Sequence, residues 1–227
     1  MKSKILVLLF ALPVVFVLSC EKEQIDYFYL TDTQIKMVPY TFGQSVMCLD
    51  FYGDSFELIV VEDYMFYSEL NWDAPRYTKH IQHREVRLNS NRKNKQNYEI
   101  YIGYSGEDNY IAFRILYNLW YGLHHDDEGK FIISESYNSR QFLFDSIEIN
   151  NNIYYDVIEN NHINPDNNNE IVGRLLYNTT YGVLLFEHRD IEGFVIDNFS
   201  NNNINEKSNF CYFNPVDFTY SGFSDYK

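Results

Sequence analysis

The stretch NYEIYIGYSGEDNYIAFRILY, residues 97–117, decides the fold class. Tyr98, Ile100, Ile102 and Tyr104 alternate with Asn97, Glu99, Tyr101 and Gly103, the period of two of a strand with one buried face. Ser105-Gly106-Glu107-Asp108 supplies turn residues, and an apolar return runs from Tyr110 to Tyr117, so the whole predicts an antiparallel hairpin. The same pattern recurs on either side. Residues 46–51 and 56–61 flank Tyr52-Gly53-Asp54, a second hairpin. Further strands are expected at 131–135, 142–149, 153–158, 171–177, 183–188 and 194–196. Apolar residues at three-and-four spacing never persist beyond two turns. One short helix is expected at 74–83, with Asp73 as its cap and Pro75 in its first turn. These readings add up to an all-β, mainly antiparallel fold, a curved sheet, sandwich or half-barrel with at most one or two short helices.

Composition supports that architecture. Tyr and Phe, 21 and 18 residues, dominate the aromatic content and favour a pleated surface. The asparagine-rich stretches 160–169 and 198–209 read as loops, since asparagine tolerates left-handed backbone and bonds its own main chain. Arg114-Ile-Leu-Tyr-Asn-Leu-Trp-Tyr-Gly122 and Arg174-Leu-Leu-Tyr-Asn-Thr-Thr-Tyr-Gly182 repeat one hairpin pattern, with Asn and Gly as the pivot.

The chain begins MKSKILVLLFALPVVFVLSC. A basic start at Lys2 and Lys4, an apolar run over 5–18 and Ser19 before Cys20 form a secretory signal whose end resembles a lipobox. The apolar run falls short of the roughly twenty residues a membrane span needs, and Pro13 interrupts it. On this reading residues 1–19 are removed, Cys20 receives acyl chains, residues 20–32 are a polar tether and 33–227 one β-rich domain. A signal cleaved without lipid attachment is the competing reading. Without Lys2 and Lys4 the body holds 16 basic residues against 32 acidic ones, a formal charge of −16. Such a surface repels nucleic acid and anionic headgroups, so the expected membrane contact is the lipid on Cys20. Cys48 and Cys211 are the other cysteines, and the export compartment permits a disulfide between them.

Two longer runs carry a family resemblance. DSIEINNNIYYDVI (145–158) with LLYNTTYGVLLFEHRDIEGFVI (175–196), and PYTFGQSVMCLDFYGDSFELIV (39–60), are similar to the closing and opening segments of small Bacteroidota lipoproteins. The resemblance implies an exported β-rich domain tethered to the outer membrane, at its periplasmic face or the cell surface. It implies no activity. Asp145-Ser146-Ile147 also resembles the short O-glycosylation pattern of exported proteins from that group, which makes Ser146 a candidate modification site.

Catalytic chemistry finds little support. His124-His125-Asp126-Asp127-Glu128 groups potential metal ligands, but strand neighbours face opposite ways, and the run reads as a polar turn. Gly103-Tyr104-Ser105-Gly106 lacks the second glycine of a nucleophile elbow, where Glu107 stands. Zinc, phosphate-loop and dinucleotide motifs do not occur. No catalytic residue, metal ligand or cofactor is therefore assigned. Seven basic residues cluster between Arg76 and Lys95, either a dock for an acidic partner or a surface paired with the protein's own carboxylates. The expected function is a non-enzymatic binding or assembly module that meets an envelope protein or a glycan. The alternatives are a carrier of apolar ligands in a curved sheet and a glycan binder using Trp72, Trp120 and Tyr121. The last requires at least two of those rings to be coplanar and solvent-facing.

Overall fold

A computed structural model describes residues 24–197, apart from 72–76, 94, 96, 117–118, 135, 137 and 165–169. Thirteen strands and one short helix follow in order. They are β1 (Gln24–Phe28), α1 (Asp32–Lys36), β2 (Ser45–Asp50), β3 (Ser55–Asn71), β4 (Tyr77–Ser90), β5 (Glu99–Ser105), β6 (Tyr110–Ile115), β7 (Leu119–His125), β8 (Phe131–Ile132), β9 (Ser139–Ile149), β10 (Asn152–Asn164), β11 (Glu170–Asn178), β12 (Gly182–His188) and β13 (Ile191–Ile196). Strands β2 to β13 form one antiparallel, nearly closed, barrel-like sheet in the order β8-β7-β6-β5-β4-β3-β2-β13-β12-β11-β10-β9. All but one of its neighbours are consecutive hairpin partners; the exception is β13 against β2, which joins the two halves of the chain.

The alternation seen in the sequence becomes the two faces of this sheet. Ile100, Ile102 and Tyr104 of β5, Ile111 and Phe113 of β6, and Val86 and Leu88 of β4 point inward. They pack with Phe56 and Leu58 of the neighbouring β3 and with Tyr177, Phe186 and Phe194 from β11, β12 and β13 into one core. Each such side chain contributes about 1.5–3 kcal/mol on burial, so a body of this size can sustain a closed sheet. Aromatic edges lock the centre: Phe113 and Tyr177 meet at 5.0 Å and 67°, Tyr98 and Phe194 at 4.9 Å and 60°.

One end of the barrel is filled by the segment from Leu30 to Tyr40. Thr31 caps α1 reciprocally, its hydroxyl accepting from the Gln34 N–H while the Gln34 side chain accepts from the Thr31 N–H. Met37, Val38 and Tyr40 enter the core beyond the helix. Arg84 of β4 reaches across and donates to the carbonyls of Ile35 (2.8 Å), Val38 (3.0 Å) and Tyr40 (2.5 Å), its other face paired with Asp63. From the opposite wall the Tyr177 hydroxyl donates to the Met37 carbonyl, and the Val183 N–H donates to the Tyr40 hydroxyl. The plug is thus tied to both halves of the sheet.

A second, smaller core lies outside β10–β13. At Asp156 φ is +52° and the pairing with β9 skips one position without a change of register, and the β9–β10 hairpin beyond it packs on the outer face of its neighbours. Ile149, Tyr154 and Val157 pack there on Leu176, Leu184 and Ile196, while Asn150 donates to the Ile196 carbonyl.

Several expectations change. The stretch 77–83, expected to be helical, is the start of β4. Its residues pair with Asn71 to Phe66 of β3, and neighbours on both sides outweigh a weak local preference. The helix is α1 instead, starting at Asp32 where the expected tether ends; β1 lies within that tether, paired in parallel with β4 from Gln24↔Tyr77 to Phe28↔Ile81. Asn160 to Asn164 continue β10 rather than opening a loop, with Asn160 and Asn161 fully buried. In the second copy of the internal repeat Asn178 accepts from the Tyr181 N–H and Gly182 holds φ +81°, the expected pivot. In the first copy Gly122 sits within β7 instead. Cys48 is buried, and its suggested partner Cys211 lies outside the described residues.

Candidate functional site

The sheet closes only approximately, and the cleft where its ends meet is the candidate site. β7 and β10 face each other across a seam without a strand ladder. Two amides span it: the Gln141 side chain donates to the Gly122 carbonyl at 2.5 Å and the Asn160 side chain donates to the same oxygen at 2.8 Å. Each amide is fixed by its own oxygen, Gln141 accepting from the Ser134 N–H and Asn160 from the Ser139 hydroxyl. Side chains therefore replace the missing backbone bonds, and a cleft of about 390 Å³ remains beside them.

Its outer rim is aromatic. Trp120 is 60% exposed on the outer face of β7. The Arg114 guanidinium lies between the Trp120 ring at 5.6 Å and the Tyr101 ring at 3.9 Å, which holds the indole in place. The Tyr110 ring lies flat over Gly122, where any Cβ would overlap it, and meets His124 at 4.8 Å. The close approach at Gly122 is that of a ring rather than a turn, and a side chain there would push the partly exposed Tyr110 ring aside. The floor is polar and reached from the barrel side. Tyr121 is 3% exposed and packs edge-on to His162 and Phe186. Its hydroxyl and His162 Nδ1 are buried without a hydrogen-bond partner among the described residues. Burial pushes the Tyr121 hydroxyl well above its ordinary value and the His162 imidazole below its own, so both are neutral at pH 7. Ser134, Ser136 and Asn138 complete the wall, and no Asp, Glu, Lys or Arg lines it among the described residues.

The sequence candidates fall as follows. Trp120 and Tyr121 both line the cleft, but adjacent strand residues face opposite ways, so they contribute a solvent-facing ring and an inward hydroxyl rather than a two-ring platform. Trp72 and Cys20 lie outside the described residues. Ser146 is exposed in β9 opposite Tyr155. His124 and His125 stand on opposite faces, and Asp126 makes the following turn by accepting from the N–H groups of Glu128 and Lys130. Among the described residues no three His, Cys, Asp or Glu side chains are grouped to hold a metal ion. Sequence reasoning missed Tyr110, Gln141, Asn160 and His162. Their isolated positions carry no motif, and only the closing of the sheet assembles them.

Five of the seven basic residues, Lys79, Arg84, Arg87, Arg92 and Lys95, pair with the protein's own carboxylates, and Arg76 lies outside the described residues. Arg92 bonds Asp50 at 2.9 Å and Glu192 at 2.5 Å, and Lys95 bonds Asp50 at 2.7 Å and Asp54 at 2.9 Å. Lys79 pairs with Glu107, Arg84 with Asp63, and Arg87 with Glu62 and Glu99. Burial alone would raise the Asp50 carboxyl, but bonds from Lys95, the Asp54 N–H, Arg92 and the Tyr52 N–H hold it below its ordinary value. A depressed folded value contributes stability above the ordinary carboxylate range, and that contribution disappears as pH falls through the folded value. Melting temperature should therefore drop on acidification below about pH 4, and Asp50→Asn should flatten that limb; an unchanged acid limb in the variant would assign it to other carboxylates.

Comparison with protein families, with curated proteins and with solved structures finds no match for this chain.

Proposed function

We propose that this chain is an exported, lipid-anchored envelope protein whose barrel body is a non-enzymatic binding module for a neutral glycan, held in the cleft at the β7–β10 seam. The observation that carries the ligand class is the chemistry of that cleft. Tyr121 does not supply the second solvent-facing ring expected beside Trp120; Tyr110, 37% exposed on the same rim, takes that place. An indole and a tyrosine ring thus offer apolar faces to sugar C–H groups, while hydroxyls, amides and a neutral imidazole offer matching donors and acceptors. A buried group without a partner costs about 1–3 kcal/mol, so the Tyr121 hydroxyl and His162 Nδ1 favour a ligand that brings its own hydroxyls. The absence of formal charge in the described lining favours a neutral ligand over a phosphate or uronate. The interior core, occupied by residues such as Phe113, Tyr177 and Phe186, favours binding at the seam over carriage of an apolar cargo within the barrel.

The anchor rests on the signal-like start, Ser19-Cys20 and the resemblance to outer-membrane lipoproteins. Two acyl chains would hold the body durably, at about 0.8 kcal/mol per buried CH₂. Among the described residues no helix is long and apolar enough to cross a membrane.

Two measurements test the two halves. Calorimetry of the mature chain against ligands found on a neutral-glycan array should give saturable binding, weakened at least about tenfold by Trp120→Ala, which corresponds to about 1.4 kcal/mol. An array without a single reproducible signal, or unchanged affinity in the variant, would refute the cleft as a glycan site. Cys20→Ala should abolish incorporation of radiolabelled palmitate and release the protein from the membrane fraction. Persistent labelling would refute the anchor.

A further inference from the structure

β3 and β4 are much longer than their neighbours, and the excess has an unusual surface. β2 pairs with β3 only as far as Ile59, and β5 pairs with β4 only from His83 onward. The outer halves of β3 and β4 therefore leave the barrel as a ribbon, joined by β1 along β4. This three-stranded blade projects at the plugged end. On one face it carries Ile25, Tyr27 and Tyr29 from the β1 side and Tyr67 from β3, each between 42% and 58% exposed. The rings form a continuous patch: Tyr27 stacks on His80 at 4.9 Å and on Tyr29 at 6.2 Å, and Tyr29 meets Tyr67 edge-on at 6.3 Å. Exposed Glu69, opposite His80, is the acidic residue at the margin of this face, and the aromatic patch beside it, open to water, costs solvation and calls for an occupant.

The direction of β1 identifies one. Gln24 pairs with Tyr77, so β1 enters at the distal end of the blade, where β3 ends and β4 begins. Cys20 stands four residues earlier, and an extended chain spans at most about 3.6 Å per residue, so an acyl group on that sulfur is held within about 15 Å of the blade's tip. Tyrosine is the side chain suited to such a place, with a ring that enters the acyl boundary and a hydroxyl that stays among the headgroups. We propose that the tyrosine face of the blade docks on the bilayer interface beside the anchor and fixes the orientation of the barrel. This rests on the reading of Cys20 as the acylated residue. It departs from the expectation that lipid is the sole membrane contact, because the contact is made by uncharged rings and needs no basic surface.

The test uses the full acylated chain in phosphatidylcholine–phosphatidylethanolamine vesicles. Cys211→Ser removes the other reactive thiol, Cys48 being buried. A fluorophore is placed in turn on Tyr27→Cys, on Tyr67→Cys and, as a reference away from the blade, on Tyr155→Cys. Lipids with a nitroxide at the headgroup or shallow in the chain should quench the first two labels at least about threefold more than the third. Equal quenching at all three positions in acylated protein would overturn the docking while leaving the anchor intact. Vesicle-independent pairing of chains through the blade, seen as a dimer that sediments without lipid and lacks nitroxide quenching, would also overturn it. An unmodified N-terminal peptide by mass spectrometry would instead overturn the anchor, and the docking with it.

Discussion

Replacing Arg84 by methionine is expected to destabilise the protein by about 3–5 kcal/mol, the range measured when one partner of a buried ion pair is removed. The guanidinium donates to three plug carbonyls and to both oxygens of Asp63, so it fastens β4, and β3 through Asp63, to the plug. Methionine fills the space but leaves those acceptors unpaired in a buried setting, each a cost in its own right. In a body of this size the loss should lower the melting temperature by about 10 °C. Lysine should rescue only in part, since a point charge cannot meet a planar set of acceptors at once. Amide exchange gives a separate readout: protection should fall first over Leu30–Tyr40, because the plug loses its fastening before the sheet loses its ladders. A melting temperature within about 2 °C of the parent, with the plug still protected, would show that Arg84 is not what secures it.

Gly182→Ala should produce a loss of similar size through a different route. Gly182 holds φ +81°, a conformation that costs an L side chain about 1–2 kcal/mol. A Cβ there would also overlap the hydroxyl end of Tyr40, which is nearly fully buried and has no room to withdraw. Displacing that ring breaks the bond from the Val183 N–H, adding about 1–3 kcal/mol. Tyr40→Leu removes the hydroxyl and the far ring carbons that the Cβ would overlap, so the double variant Tyr40→Leu, Gly182→Ala should be markedly less unstable than the sum of the two single changes. Strict additivity, measured by denaturant unfolding, would show that backbone strain alone accounts for the effect.

The strands were readable because alternation is local. Tyr98, Ile100, Ile102 and Tyr104 declare a buried face, and the expected hairpins at residues 46–61 and 97–117 appear as β2–β3 and β5–β6. Errors arose where long-range neighbours overrode local chemistry. Residues 77–83 are polar and follow Asp73 and Pro75, yet they extend because β1 and β3 bond them on both sides. Asn160 and Asn161 are turn residues by composition and strand residues in fact, Asn160 because its amide fastens the seam. The signal for α1 was present as Thr31-x-x-Gln34, a capping box too short to stand out without the apolar periodicity of a longer helix.

By itself the sequence determined a β-rich, acidic body behind a signal-like segment, since period, composition and charge are properties of neighbouring residues. That Trp120 and Tyr121 bear on one cleft, that Gln141 and Asn160 stitch its edge, and that Ile25, Tyr27 and Tyr67 share an exposed face was decided by tertiary structure. Register and sheet closure set these proximities. Both are long-range outcomes of packing the two halves of the chain through β2 and β13, and no local pattern encodes which distant strand a given residue will meet.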